Sequence, residues 1–381
     1  MAGANTASSS YSPSSTETGA SSSASSPYAP PSLRQLFSAE EEMPARGVAQ
    51  IHFGSSAAHS VLEALQLVPT EKPKASSGQI VVRMTVRPIN RSDLNTIRNS
   101  RFSRVAAQGR QVIIGEEGCG VVEEVGEGVT KFMKGQRVIP LGMPTYSKDG
   151  QGTWQDYIVV DETNAFPVPP SVSDEVAAQF IFNPWAALGL LERLDVPKGE
   201  YLLQTAAGSA MGRLIIQLAK YFGIKTINIV RREEWRRELK ALGADEVINS
   251  TTEDVRSKVK EITGQKMAYA AVDAVAGTTT KVVAACVRDG GTVIVYGALS
   301  SNDITYSIYD LRRKVQLEWF YLGDYVPTRE RIDLVASKVM RLLELKVMRP
   351  HIGKKFPLSQ FRDAIVEAER EGRGGKVLLI S

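Results

Sequence analysis

Between Tyr201 and Arg232 lies a stretch whose residue types and spacing suit it to hold a pyrophosphate. A short apolar run, Tyr201 to Gln204, leads into a turn of small residues, Ala206-Ala207-Gly208-Ser209-Ala210-Met211-Gly212. Leu214, Ile215, Leu218, Ala219 and Phe222 then repeat at helical spacing, and a second β-branched run, Lys225 to Val230, completes a βαβ unit. At the turn, a helix N-terminus offers unpaired N–H groups and the positive end of its dipole to an anion. The usual G-x-G-x-x-G fingerprint is degenerate, with Gly208 and Gly212 remaining. Alanine is tolerable there where the backbone comes close to a ligand while φ stays negative, and Gly212 falls where the helix must pack tightly on the strand. A glycine-poor turn by itself fits a structural crossover nearly as well.

The end of the second strand separates the two readings. A dinucleotide without a 2′-phosphate calls for Asp or Glu there, to accept from the ribose hydroxyl. This chain has Arg231 and Arg232. A guanidinium matches a phosphate dianion, so the expected cofactor is NADP(H). The plainer alternative is a solvated pair of arginines opening the next helix, paired with Glu233 and Glu234.

The elements around this unit are legible from punctuation and periodicity. The chain has 381 residues, 43% apolar and 23% charged, enough for two ordinary domains and a sizeable core. Its net charge of +4 is spread without a dense basic block, which argues against nucleic acid. No apolar run approaches a membrane span. Two cysteines, Cys119 and Cys286, give no disulfide framework and suggest a reducing compartment. Residues 1–45 are rich in Ser, Ala, Thr and Pro and are expected to be a disordered tail. The tail is either a cytosolic extension or a mitochondrial transit peptide, although Arg is absent before Arg34 and Glu17 is present.

From Gly47 short alternating strands are expected: Ala49 to Phe53, Gln79 to Arg87, the glycine-broken run from Gln111, Gln136 to Pro140 and Trp154 to Val160. Pro170 to Leu194 reads as helical. Beyond the nucleotide unit come a helix from Glu234 to Leu242 closed by Gly243, a strand at Val247-Ile248, a helix from Glu253 to Thr263, and strands at Tyr269 to Val275 and Thr292 to Tyr296. Gln316 to Leu322 reads as a further buried strand and Thr328 to Leu345 as a long helix. The last helix, Ser359 to Glu369, and last strand, Lys376 to Ile380, are expected to return to the first domain. The expected division is 1–45 as tail, 46–183 with 325–381 as one domain, and 184–324 as the inserted nucleotide-binding domain.

From Gly47 onward the chain resembles a known family. The segments Asn90-Arg-Ser-Asp93, Gly115-Glu-Glu-Gly118, Val125-Gly-Glu-Gly-Val-Thr-Lys-Phe-Met-Lys-Gly-Gln-Arg-Val138, Leu242-Gly-Ala-Asp245 and Gly375-Lys-Val-Leu378 resemble those of a medium-chain dehydrogenase/reductase. Gly152-Thr-Trp154, Asn183-Pro184, Tyr296-Gly297 and Phe320-Tyr-Leu322 resemble the zinc-free 2-enoyl thioester reductases, with the quinone oxidoreductases close by. The resemblance implies an α/β fold, a GroES-like partly open β-barrel plus a doubly wound Rossmann sheet, and a homodimer. It places the pyrophosphate at Gly208, Ser209, Ala210, Met211 and Gly212, and the 2′-phosphate at Arg231 and Arg232. Tyr296, Gly297, Ala298, Leu299, Phe320 and Leu322 would flank the nicotinamide, Lys376 the site edge. Asn183 would stand at the substrate end, with Tyr321 the second candidate catalytic residue.

Two departures bear on mechanism. Where zinc alcohol dehydrogenases have Cys-x-Ser-Asp and Gly-His-Glu, this chain has Asn90-Arg-Ser-Asp93 and Gly115-Glu116-Glu117, and its three histidines, His52, His59 and His351, lie elsewhere. No catalytic zinc is expected. Glu116 and Glu117 could serve as a general base, although capping or pairing with Arg is commoner. The family tyrosine that would bond the substrate carbonyl or assist proton delivery is replaced by Phe102, leaving Tyr146, Tyr157 or Tyr321 as substitutes. The expected activity is NADPH-dependent, metal-free hydride transfer to an activated C=C bond of a small-molecule enoyl thioester or enone. Quinone reduction is the alternative, and a non-catalytic NADPH-binding protein the rival of another class.

Overall fold

A computed structural model describes residues 44–53, 60–142 and 148–381. In chain order its strands are β1 (Ala45–Gln50), β2 (Leu65–Thr70), β3 (Gln79–Pro88), β4 (Val112–Ile113), β5 (Cys119–Val125), β6 (Arg137–Pro140), β7 (Tyr157–Asp161) and β8 (Ala165–Pro167). They continue with β9 (Tyr201–Gln204), β10 (Lys225–Val230), β11 (Glu246–Asn249), β12 (Ala268–Asp273), β13 (Val287–Val295), β14 (Gln316–Trp319), β15 (Ile352–Pro357) and β16 (Lys376–Ile380).

β9 to β14 form one parallel sheet in the order β11-β10-β9-β12-β13-β14. The order reverses between β9 and β12, and in such sheets ligands bind beyond the strand ends at that switch point. β9, the helix Ala210–Phe222 and β10 make the βαβ unit. The inner strands are buried on both faces, as a sheet flanked by helices requires.

The remaining strands build the GroES-like part: a mostly antiparallel sheet, β15-β16-β3-β5-β6-β8 with β7 on β3, and a small sheet, β2-β1-β4. β16 runs antiparallel to β3 with Leu378 opposite Pro88. That register brings Lys376 beside Asn90, almost three hundred positions away in sequence. The helix Phe182–Leu194 ties this part to the parallel sheet. Trp185 packs edge-on against Phe180 and Phe166 (centroids 5.6 and 6.0 Å), and the other face lies against the helix Ala210–Phe222.

Several expected boundaries move. The strand read as Gln316 to Leu322 stops at Trp319, followed by a short helix, Leu322–Tyr325, and it is the exposed edge of its sheet. Pro170 to Leu194 divides into helices Asp174–Ala177 and Phe182–Leu194. The first strand is Ala45–Gln50 where Ala49 to Phe53 was expected, and the Trp154 strand starts at Tyr157. β2 escapes the sequence reading because Pro69 argues against a strand, and it survives only at a sheet edge. The expected tail lies almost wholly outside the described residues.

Candidate active site

The turn after β9 is built as an anion cradle. Thr205 donates its hydroxyl to Asp273 at the end of β12 (2.8 Å), pinning the turn at the switch point. Ser209 caps the helix Ala210–Phe222, its hydroxyl oxygen accepting from the Gly212 N–H at 3.1 Å. A Cβ on Gly212 would stand 2.7 Å from the Ala207 backbone, so only glycine permits this closeness of helix and turn. Ala206 has φ of +49°, against the expectation that alanine stands where φ is negative. A left-handed alanine costs roughly 1–2 kcal/mol, which the surrounding turn must offset.

Arg231 and Arg232 follow β10. Both reach Glu371 from the segment before β16 (3.3 and 3.0 Å), and Arg232 also approaches Glu234 at 3.7 Å. Glu233 pairs instead with Arg236 (2.5 Å). Arg231 is mostly exposed and Arg232 half-buried, so both guanidinium groups are accessible to a phosphate that outcompetes Glu371. Cradle and cations together fit a dinucleotide with a 2′-phosphate.

Tyr296, Gly297, Ala298 and Leu299 follow β13. A Cβ on Gly297 would meet the Ala274 carbonyl at 2.7 Å, so the segment runs tight over the sheet end. The Tyr296 hydroxyl is buried with no partner among the described residues, and burial pushes its phenol well up. Phe320 is buried and packs against Gly189 and Tyr325.

On either side of Phe320 in sequence, Trp319 and Tyr321 border a cavity of about 670 Å³. One wall is Ser92, Asn95 and Thr96 from the helix Arg91–Arg98, with Asn99 and Arg101 beyond it. The opposite wall is Trp319, Tyr321, Leu322 and Gly323, and Glu116 and Phe182 complete the lining. Most of its polar side chains can donate a hydrogen bond: hydroxyls, amides and one guanidinium among the described residues.

Beneath it lies a buried ionisable cluster. Lys376 donates to Asn90 Oδ1 at 2.6 Å, and Asn90 Nδ2 donates to Glu117 at 2.9 Å. Glu117 also accepts from the Ile181 and Phe182 N–H groups (3.0 and 3.1 Å), capping the start of the helix Phe182–Leu194. Burial raises its pKa, with those bonds opposing. Asp93 accepts from the Asn90 N–H at 2.7 Å, while its other oxygen is buried and unpartnered among the described residues. Burial and the nearby Glu116 push it well up, which keeps the carboxyl neutral. Glu116 accepts from the Ser92 hydroxyl and is pushed up to about 7, chiefly by burial. Burial brings Lys376 down to about 8.

The structure thus brings Tyr321 and Leu322 to the cavity and Lys376 to the cluster below it. Asn183 is half-buried on the helix Phe182–Leu194, while its neighbour Phe182 lines the cavity. Phe102 is a core residue, 2% exposed among Leu94, Ile97 and Trp154, so the phenyl that replaces the family hydroxyl does not line the cavity. Tyr157 lies on β7 under Lys72, away from the cavity, and Tyr146 and His59 lie outside the described residues. Sequence reasoning offered Glu116 only as a possible general base and did not single out Ser92, Thr96, Asn99 or Arg101. The Asn90-Arg-Ser-Asp93 and Gly115-Glu-Glu-Gly118 segments carried the signal, but which side chain of each faces the cavity depends on tertiary pairing.

The family model for the alcohol dehydrogenase GroES-like domain matches residues 76–170, and that for zinc-binding dehydrogenase matches residues 210–337. A mitochondrial enoyl-[acyl-carrier-protein] reductase of Caenorhabditis elegans is 36% identical over 64% of this chain and 68% of its own. The enzyme of that name from Dictyostelium discoideum is 30% identical over 80% and 87%. Among solved structures, a Bacillus thuringiensis protein assigned as an NADPH:quinone reductase superposes with a TM-score of 0.79 at 29% identity, covering 88% of this chain and 99% of that one.

Proposed function

The chain belongs to the medium-chain dehydrogenase/reductase superfamily, and from that premise we propose that it is an NADPH-dependent reductase of activated C=C bonds, acting on 2-enoyl thioesters or enones. The observation that carries this reading is the cavity walled by Tyr321 and Leu322 and by side chains that can donate hydrogen bonds, with a carboxyl in its lining. When bound, NADPH supplies a hydride to the substrate β-carbon. Gly208 to Gly212 hold its pyrophosphate, Arg231 and Arg232 its 2′-phosphate, and Tyr296 to Leu299 with Phe320 and Leu322 the nicotinamide end. Hydroxyl, amide and guanidinium donors of the cavity stabilise the negative charge that develops on the carbonyl oxygen, with Tyr321 the phenol nearest to hand. Asn183 orients the substrate end from the first turn of its helix.

Conjugate reduction uses no Lewis acid, in keeping with Asn90 and Glu116 standing where the zinc enzymes place thiolate and imidazole. Among the described residues no group of His, Cys, Asp and Glu is arranged to hold a metal ion. Quinone reduction is the second reading, favoured by the likeness to the Bacillus protein. NADPH consumption with an enoyl thioester, an enone and a small quinone side by side tests the two. Faster turnover of thioester or enone supports the proposal, faster quinone turnover the alternative, and tight NADPH binding with no turnover the non-catalytic rival.

The same footing supports a homodimer joined at β14. That strand is the open edge of the parallel sheet, Trp319 is 59% exposed, and the adjacent helix Ile308–Arg312 exposes Ile308 and Tyr309 to 75% and 71%. Sedimentation of wild type as a dimer, and of Ile308→Glu as a monomer, is the expected result. A wild-type monomer at micromolar concentration would refute the dimer. The mitochondrial relatives support a mitochondrial location, checked by imaging a fluorescent fusion of the full chain. No helix among the described residues is long and apolar enough to cross a membrane.

A further inference from the structure

Reduction of a C=C bond needs a proton at the α-carbon as well as a hydride at the β-carbon. The position that would carry a tyrosine holds Phe102, whose ring is in the core. Among the described residues that line the cavity, Glu116 is the one carboxyl. It is 5% exposed, so it meets the cavity while surrounded by protein. One of its oxygens accepts from Ser92, a bond that fixes the rotamer, and the other makes no hydrogen bond among the described residues.

The charges facing Glu116 come from four directions. Glu117 and Asp93 are acidic, from the adjoining residue and the helix Arg91–Arg98, while Lys376 on β16 and Arg101, just beyond that helix, are basic. Lys376 spends its ammonium on Asn90, and no basic group forms an ion pair with Glu116 among the described residues. Glu116 therefore differs from Glu117, which is locked by three donors, and from Asp93, which does not line the cavity.

We propose that Glu116 is the catalytic acid, delivering the α-carbon proton with Ser92 as its positioning residue. This rests on the C=C reductase reading. In the balanced reaction the reduced nicotinamide, oxidised by two electrons, supplies the hydride that forms the new C–H bond at the β-carbon. The π pair moves to the carbonyl side as an enolate. The O–H bond of Glu116 then breaks as a C–H bond forms at the α-carbon, leaving a carboxylate that solvent reprotonates through the cavity mouth. A carboxyl poised at about 7 is matched to that cycle at neutral pH.

The test compares wild type, Glu116→Gln and Glu116→Asp. Expected for Glu116→Gln is a fall in kcat on an enoyl thioester of roughly 10²- to 10⁴-fold, with NADPH affinity unchanged. Wild-type kcat falls as pH rises through about 7, as the acid form is lost, and this limb is absent from the Glu116→Gln profile. Glu116→Asp, one methylene shorter, recovers part of the rate. Infrared titration of the cofactor-free protein gives a readout independent of turnover: a carboxyl stretch lost near pH 7 in wild type and missing in Glu116→Gln. Wild-type rate in Glu116→Gln, an unchanged pH limb, or no carboxyl titrating near 7 that the substitution removes would each overturn the proposal. A wild type inactive on every alkene sinks the functional reading instead, and the infrared titration still decides whether Glu116 is a poised acid.

Discussion

At the scale of single residues, burial does most of the chemistry. The four ionisable side chains under the cavity are each shifted toward neutrality first by desolvation, and only then by their neighbours. This has a consequence for stability. Glu116 holds its proton up to about pH 7 when folded, against about 4.5 when unfolded. Between those values the native state binds more protons than the unfolded state, so its contribution to stability declines as pH rises from about 4.5 to 7 and is constant above. Glu116→Gln cannot ionise. Its melting temperature relative to wild type should therefore climb between pH 5 and pH 8, by calorimetry in matched buffers, and a constant difference across that range would contradict the burial assigned to Glu116. Residue types were legible in the sequence: Gly212, Arg231, Arg232 and the two adjacent glutamates were all visible there. Side-chain direction was not. Phe102 and Arg101 are neighbours, yet one enters the core and the other the cavity.

At the scale of elements, the βαβ unit reads cleanly because local signals agree: β-branched strands, a capping serine, an apolar helical stripe and a closing glycine at 223 in the left-handed region. Its tightest point is Gly212. A Cβ there has to displace the Ala207 backbone, so Gly212→Ala should cost about 1–3 kcal/mol by denaturant titration and weaken NADPH binding as the helix shifts off the strand. Unchanged stability would mean the turn has slack that the 2.7 Å contact denies. β14 was harder to read, because an apolar run of Gln316 to Leu322 looks the same whether it is buried or an exposed edge. Pairing is a tertiary property, and so is the register that sets Lys376 against Asn90.

At the scale of the whole molecule, the C-terminal segment closes both halves of the site. β16 delivers Lys376 to the buried cluster, and the residues just before it place Glu371 on Arg231 and Arg232. On the proposed assignment of these arginines, a bound 2′-phosphate displaces Glu371. Glu371→Gln is expected to tighten NADPH binding several-fold while leaving NADH binding unchanged, an effect that fades at high salt. Equal gains for both nucleotides would contradict the assignment of these arginines. The family order of the two parts was visible in motifs spread along the chain, whereas the contact between Glu371 and the arginines joins positions no local pattern relates. The central claim is that hydride goes to the β-carbon of an activated alkene and a solvent-derived proton to the α-carbon. It is tested most directly by reducing an enoyl thioester with NADPH deuterated at the nicotinamide C4 hydrogens, in ordinary water, and locating the label by NMR. One deuterium at the β-carbon with none at the α-carbon is the expected result; deuterium at the carbonyl carbon, or an unlabelled product, would contradict it.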